Sequence, residues 1–357
     1  MPHRRIPRPP GTPKESGDPL AATGDTLRWG VVSTGSIASE VTAQIARLGD
    51  ATLQAVSSRD ADRARAFAER FGFATSYGGG ATPSFERLAA DPDVDVVYVA
   101  TPHGSHFDVT KAVLEAGKHA LVEKSFTVTG AEAEALVGIA RERGLFLMEA
   151  VWTRFVPTFH AALDEVEAGA LGDVRWIQGD LGFRATSDAR RRLWAPEDGG
   201  GALLDLSVYP LTWVLGVLGF PDRLEAEAEL TDEGVDAANA LTLSWAHGAR
   251  AQLLSTLLAQ TTRTLTIGGT EGTLRTGAPL TGPDAFVIER DGSVHESRFE
   301  PSAPRYAYQL REVTRCIQGG LRESPTMPLD DTIATMRLFD EARRRMGVTY
   351  PHDAREF

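Results

Sequence analysis

The chain has a single cysteine, Cys316, so no disulfide can form within it and nothing in its covalent chemistry requires an oxidising compartment. Positive charge is scarce as well. Thirty-seven Lys and Arg face 49 Asp and Glu, a formal net charge of −12, which excludes nucleic acid as the main partner because phosphate binding needs a basic face. Long apolar runs are nearly lacking. Only residues 202–220 approach a membrane span, and Asp205, Tyr209 and Pro210 interrupt them with no basic flank following, so the stretch reads as a buried core helix. Residues 1–26 are rich in Pro, Gly and charge and lack the apolar core of a secretory signal despite the Arg4-Arg5 pair; they read as a disordered extension. These absences together predict a soluble cytoplasmic protein with no membrane partner. Lysine is scarcest among the charged residues. There are four, and one of them, Lys124, closes the apolar run His119-Ala120-Leu121-Val122-Glu123. Arginine suits a purely structural positive charge, whereas a compact ammonium with a tunable pKa suits chemistry; the competing reading is a solvated lysine at a strand end.

What is present has a clear period. From Leu27 strand and helix patterns alternate: a strand at 27–33, a helix at 37–48, a strand at 52–57, a helix at 61–71, a third strand at 95–100, a helix at 107–116, the strand ending at Lys124, a helix at 131–143 and a strand at 146–149. Such alternation predicts a doubly wound parallel sheet, an α/β Rossmann domain over 27–150. Beyond Val151 strand-like runs follow one another at 174–181, 224–230, 240–245, 251–257 and 262–267, divided by Gly and polar turns, and a last helix is expected at 329–346. Residues 151–357 therefore read as an α+β domain with a large, mostly antiparallel open sheet.

The first strand-to-helix turn is Ser33-Thr34-Gly35-Ser36-Ile37-Ala38, which matches G-x-G-x-x-A with serine in the first position. Gly35 lets the backbone approach a pyrophosphate, Ala38 lets helix and strand pack closely, and the helix N-terminus favours an anion. The motif lies on the first strand of a βαβ unit, the context in which it signals dinucleotide binding rather than a bare tight turn. Where an NAD site carries an acid on the ribose, this chain has Ser58, then Arg59 and, one helical turn on, Arg63. A hydroxyl and guanidinium groups can bind a 2′-phosphate that a carboxylate would repel, so NADP is favoured over NAD, with Asp60 nearby and a solvated arginine face as the alternative.

Further along, Gly199-Gly200-Gly201 opens a helix with Asp205 and Tyr209 spaced i,i+4 on one face, and Pro210 is expected to bend it. A carboxylate and a phenol on an apolar helix are costly to bury without partners; the plainer reading is a capping Asp and a core Tyr. Thr101-Pro102-His103-Gly104-Ser105-His106 reads as a cofactor-side loop after the third strand. Its two histidines lack acidic or cysteine companions at ligand spacing, so no metal site is expected. Gly268-Gly269-Thr270-Glu271-Gly272 reads as a hairpin turn.

These segments, with Arg28-Trp29-Gly30-Val31-Val32-Ser33, Ala116-Gly117-Lys118, Phe146-Leu147-Met148-Glu149-Ala150-Val151-Trp152-Thr153-Arg154-Phe155 and Gly347-Val348-Thr349-Tyr350-Pro351, resemble the Gfo/Idh/MocA oxidoreductase family. They look most similar to its dimeric dihydrodiol dehydrogenase branch, which includes NADP-dependent D-xylose dehydrogenases. The resemblance covers nearly all of 27–355. It implies that Lys124 and Tyr209 are catalytic with Asp205 beside them; Glu123 and Lys124 are expected to face the cofactor, and of Trp152, Arg154, Phe155 and Trp194, which read as core or as pocket lining, the resemblance draws Trp152 and Phe155 toward a substrate pocket that Arg154 is expected to share. It further implies hydride transfer between nicotinamide and an aldose such as D-xylose or D-glucose, or a cyclic trans-diol, in a homodimer formed through the second domain's sheet. Two alternatives stay open: a dinucleotide-binding, sugar-sensing regulator without turnover, and a keto-sugar reductase of the same family. Two residues depart from the family pattern. Ser125 stands where the family's Glu-Lys-Pro has proline, and a cis bond there would cost about 2.5–4 kcal/mol; Ser207 stands where a small glycine usually precedes the tyrosine.

Overall fold

The alternating pattern folds as its period dictates. A computed structural model describes residues 6–9, 18–186 and 191–357, and the chain divides into two units that interleave in sequence. The first holds Pro9–Trp152, Ser302–Ala334 and Phe357; the second holds residues 6–8, Thr153–Pro301 and Thr335–Glu356.

In the first unit β1 (Leu27–Val32), β2 (Ala51–Ser58), β3 (Thr75–Gly78), β4 (Val96–Val99), β5 (His119–Glu123) and β6 (Leu147–Ala150) form one sheet in the order β3-β2-β1-β4-β5-β6. Every pair is parallel. Its helices are α1 (Ser36–Ile45), α2 (Ala61–Phe71), α3 (Ser84–Ala89), α4 (His106–Glu115) and α5 (Gly130–Arg143). A sheet covered on both faces needs strands apolar on both sides, and β4, Val-Val-Tyr-Val, is buried throughout. Helix ends follow local chemistry: Asp60 caps α2, Gly72 closes it at φ 82°, and Thr129 with Glu132 forms a capping box on α5. The strand expected as third is the fourth, because β3 intervenes. Thr-Ser-Tyr-Gly carries no apolar alternation and lies half-exposed at the sheet edge, so periodicity gave no sign of it.

The second unit is built on β7 (Val174–Gly182), β8 (Arg223–Leu230), β9 (Asp236–Ser244), β10 (Arg250–Thr256), β11 (Leu265–Gly269), β12 (Gly272–Thr276), β13 (Ala285–Arg290) and β14 (Ser293–Arg298), in the order β14-β13-β12-β11-β7-β10-β9-β8. The β7–β10 pair is parallel and the other pairs are antiparallel. The expected glycine-rich turn joins β11 to β12. Ile177, Leu241, Leu243, Leu253 and Ile267 are buried on one face, each such side chain contributing about 1.5–3 kcal/mol. Helices α6 (Pro157–Glu167) and α7 (Val208–Leu218) pack together, with Phe159 edge-on to Trp213 at 4.9 Å between ring centres, and α7 lies against β7 and β10. The stretch Pro196–Leu218 is long and apolar enough to cross a membrane, and 83% of its apolar window is buried within the fold; core packing accounts for its composition.

The chain returns to the first unit through α8 (Ala307–Gln318). Arg311 on this helix is 3% exposed and makes a bidentate ion pair with Asp50, 1% exposed, at 2.8 Å through both terminal nitrogens. The same arginine donates to Pro19 O at 2.9 Å, and Thr23 N donates to Asp50 at 2.8 Å. Residues 18–26 of the expected extension are thus tied to this pair, while 1–5 and 10–17 lie outside the described residues. Helix α9 spans Leu329–Met346, the bounds its sequence period predicts.

Candidate active site

In an open α/β sheet, ligands bind beyond the carboxyl ends of the strands where the strand order reverses. Here that point lies between β1 and β4, and the predicted cofactor residues collect around it. Ser33 follows β1 at φ 120°. This conformation is uncommon for a residue with a side chain, and Ser33 Oγ accepts a hydrogen bond from Gly35 N at 3.1 Å. Gly35 is the N-cap of α1, which has no side-chain cap and no acidic residue in its first turn. The amides of Ser36, Ile37 and Ala38 are therefore left for an anion, and Ala38 is fully buried where a longer side chain would push the helix away. The turn fits a dinucleotide pyrophosphate.

At the end of β2, Asp60 is committed to its helix. Its Oδ1 accepts from Arg63 N at 2.9 Å, and its own amide donates to Ser58 Oγ at 3.3 Å. Arg59 and Arg63 are exposed, and among the described residues neither guanidinium is held in an ion pair. The acid that left the cofactor ambiguous in sequence acts as a cap.

After β4, Thr101 and Pro102 are half-buried and His103 is buried beside His106, their rings edge-to-face at 5.6 Å. His106 is fully enclosed. Its Nε2 lies 2.8 Å from Thr101 O and its Nδ1 3.0 and 3.2 Å from Ser125 O and Phe126 O, so it ties the loop after β4 to the loop after β5. Among the described residues no cluster of three His, Cys, Asp or Glu could hold a metal. Glu123 is buried and accepts a hydrogen bond from Tyr98. Lys124 is half-buried and follows β5 directly, and the Lys124–Ser125 peptide bond is cis. Phe126 N donates to Glu149 Oε1 at 3.0 Å, and Thr332 donates to Oε2 at 3.1 Å, which anchors this loop to β6 and the return segment. Trp152 is buried, edge-on to Tyr306 at 5.4 Å, with the Arg305 guanidinium 5.4 Å over its ring.

The remaining predicted residues belong to the second unit. Phe155 is fully buried and Arg154 nearly so, its carbonyl 2.8 Å from His160 Nε2, so both sit in packed surroundings. Asp205 lies on a π-helical turn, Leu203–Ser207, that runs into α7. Pro210 explains the wider turn: it cannot donate to Leu206 O, and its ring would crowd that carbonyl in a regular α-helix. Asp205 is buried, and both terminal nitrogens of Arg192 lie 3.2 Å from its Oδ1. Tyr209 is half-buried at the start of α7. Sequence reasoning missed Arg192. Its only sign was the Arg190-Arg191-Arg192 run, which reads equally as a solvated surface.

Comparison with known proteins bears on both units. Residues 27–151 match the family model described as "Oxidoreductase family, NAD-binding Rossmann fold", and residues 159–275 match the GFO/IDH/MocA C-terminal domain. The trans-1,2-dihydrobenzene-1,2-diol dehydrogenase of Bos taurus is 35% identical over 341 residues, covering 92% of this chain and 99% of that protein. Among solved structures, the 3-ketoreductase KijD10 of Actinomadura kijaniata, in complex with NADP and TDP-benzene, is 28% identical with a TM-score of 0.80, covering 90% of this chain and 98% of its own. The aldose-aldose oxidoreductase of Caulobacter crescentus, complexed with glycerol, is 26% identical with a TM-score of 0.81, covering 90% and 97%.

Proposed function

Because the chain belongs to the Gfo/Idh/MocA oxidoreductase family, we propose that it is an NADP-dependent dehydrogenase of sugars or cyclic trans-diols. The observation that carries this reading is Lys124 at the carboxyl end of β5, on the sheet edge that also bears the uncapped α1 N-terminus. Bound nicotinamide supplies the hydride acceptor. Tyr209 takes the proton of the substrate hydroxyl. A free phenol ionises near pH 10 and is a poor base at neutral pH; the part assigned to Lys124, a cation whose pKa can be tuned, is to favour that anion through its charge. Asp205, fixed on one oxygen by Arg192, orients a substrate hydroxyl. Several fixed polar groups suit a polyol, since a site built to bond each hydroxyl rejects analogues lacking one. The named relatives, which include a diol dehydrogenase, a 3-ketoreductase and an aldose oxidoreductase, support this substrate class.

NADP is favoured by the exposed Arg59 and Arg63, by the commitment of Asp60 to the α2 cap, and by the NADP held in the KijD10 complex. The test is absorbance at 340 nm with NADP or NAD and a panel of D-xylose, D-glucose, other aldoses and trans-dihydrodiols. Steady NADPH formation with a panel member supports the reading, whereas cofactor binding without turnover on the whole panel supports a sensing regulator. Arg59→Ala is expected to weaken NADP about tenfold, the loss of one charge-assisted hydrogen bond, and to leave NAD little changed. Equal weakening of both cofactors assigns Arg59 a structural role.

Exposed apolar side chains on the outer face of the eight-stranded sheet support a homodimer. Trp176 on β7 is 41% exposed and Leu254 on β10 is 45% exposed; the β7–β10 register sets Arg250 beside Trp176 and Leu254 beside Asp180. Gln178 and Gln252 pair between them, so two exposed apolar side chains stand among polar ones on this face, a mixture that a self-complementary interface can use. Light scattering is expected to give a dimer for the native chain and a monomer for Trp176→Glu. An unchanged mass for that variant removes this face as the interface.

A further inference from the structure

Asp236, the first residue of β9, is fully buried within the second unit. Its Oδ2 accepts from Leu203 N at 2.7 Å and from Asn239 Nδ2 at 2.8 Å. Asn239 Oδ1 lies 3.1 Å from Ser207 Oγ, and Ser207 Oγ lies 2.9 Å from Ser255 Oγ. An amide oxygen can only accept, and a hydroxyl has one proton to give. Ser207 is the donor toward both Asn239 Oδ1 and Ser255 Oγ and serves one of them at a time, so a single buried hydroxyl links the helix to β9 and β10.

This relay grips the π-helical turn at both ends. Leu203 is its first residue and Ser207 its last; Asp205 lies between them, and Tyr209 follows two residues on. Ser207, Asn239 and Ser255 are all buried. Gly201 belongs to the same arrangement. It sits at φ +108°, and a Cβ there would fall 2.2 Å from Asp236 Oδ1, so the glycine makes room for the carboxylate. Burial pushes the Asp236 carboxyl up to about 7 against the hydrogen bonds it receives. A polar set of this kind is costly in a core where apolar side chains of the same shape would pack, and the cost falls beside the two residues assigned to the chemistry. The serine that departs from the family's glycine is the one that joins the turn to both strands.

We propose that the buried relay Ser255–Ser207–Asn239–Asp236 is the positioning device of the site, holding the π-helical turn so that Asp205 and Tyr209 are presented in one geometry. This rests on the reading of Tyr209 as the proton acceptor. The relay residues touch neither substrate nor cofactor and act through the backbone of 203–209.

Ser207→Ala tests it, because the smaller side chain keeps the packing and removes only the link. The expected result is a fall in kcat of about 10- to 100-fold, the scale of a small misplacement of a reacting group, with KM for NADP within about twofold. Amide hydrogen exchange of the 203–209 segment should quicken while that of β1 and α1 does not change. An unchanged kcat overturns the proposal, as does a loss of kcat with unaltered exchange in 203–209, or a fall in thermal stability with kcat per folded molecule preserved. If the native protein turns over no member of the panel, the proposed function fails, and the exchange measurement still decides whether the relay holds the turn.

Discussion

Lys124→Ala and Tyr209→Phe are each expected to lower kcat by about 10²–10⁴-fold, the range of a positioned proton-transfer group, while NADP titration by fluorescence still shows saturable binding. The two losses have different origins. Tyr209→Phe removes the acceptor, so no change of pH restores the rate. Lys124→Ala leaves the phenol in place and removes the charge that favours its anion; residual activity in that variant should climb as pH rises from about 8 towards 10, where a free phenol ionises unaided. Because both residues belong to one unit of chemistry, the double variant should be little worse than either single one. Near-native turnover in either single variant, or additive losses in the double, removes the proposed pair. The 340 nm assay on the best panel substrate, run across pH, reads all of this.

The largest expected loss of stability comes from a residue remote from that chemistry. Arg311→Ala leaves Asp50 buried without its bidentate partner, and breaking a buried pair in this way costs about 3–5 kcal/mol. Urea unfolding followed by circular dichroism should show the midpoint falling accordingly. The double change Asp50→Leu with Arg311→Leu should recover much of the loss, since it removes the stranded charge. Acid reveals the same pair. Burial alone would raise the Asp50 carboxyl, but hydrogen bonds from Arg311, Thr23 and Gln318 hold it well below the usual carboxylate range. Its folded-state pKa is depressed, so its contribution is full above the unfolded value near 3.9 and is lost as pH falls below it. Arg311→Ala should flatten this acid-side slope. An unfolding free energy within about 0.5 kcal/mol of native would show that the pair adds nothing.

The residues legible in sequence are those whose reasons are local. The βα alternation, the Gly35 turn, Lys124 at a strand end and the Asp205–Tyr209 spacing all depend on neighbours a few positions away, and the structure sets the Rossmann residues on one sheet edge as that pattern implies. What stayed hidden depends on distant partners. Arg311 and Glu312 make α8 look solvated, yet both are buried, because Asp50, 261 positions away, neutralises the arginine. Strand β14 is exposed along nearly its whole length and so carries no burial period. Pro210 marks a bend in sequence, but the hold on the π-helical turn comes from Asp236, thirty-three residues beyond Leu203, which no window on the helix itself reveals. Trp152 and Phe155, suggested by resemblance alone, are both buried.

The return of α8 to the first unit governs how the chain can be made. A ribosome adds about 5–20 residues per second, and the first unit needs residues 302–334 as well as 9–152. Between the emergence of Trp152 and that of Ala334 the nascent chain spends on the order of ten seconds or more. Throughout that interval Asp50 has no Arg311 to meet, and the parallel sheet is complete in strands but not in its buried charge. The Rossmann half of this protein is thus begun first and finished late, and a chain released early carries an unneutralised carboxylate in its core.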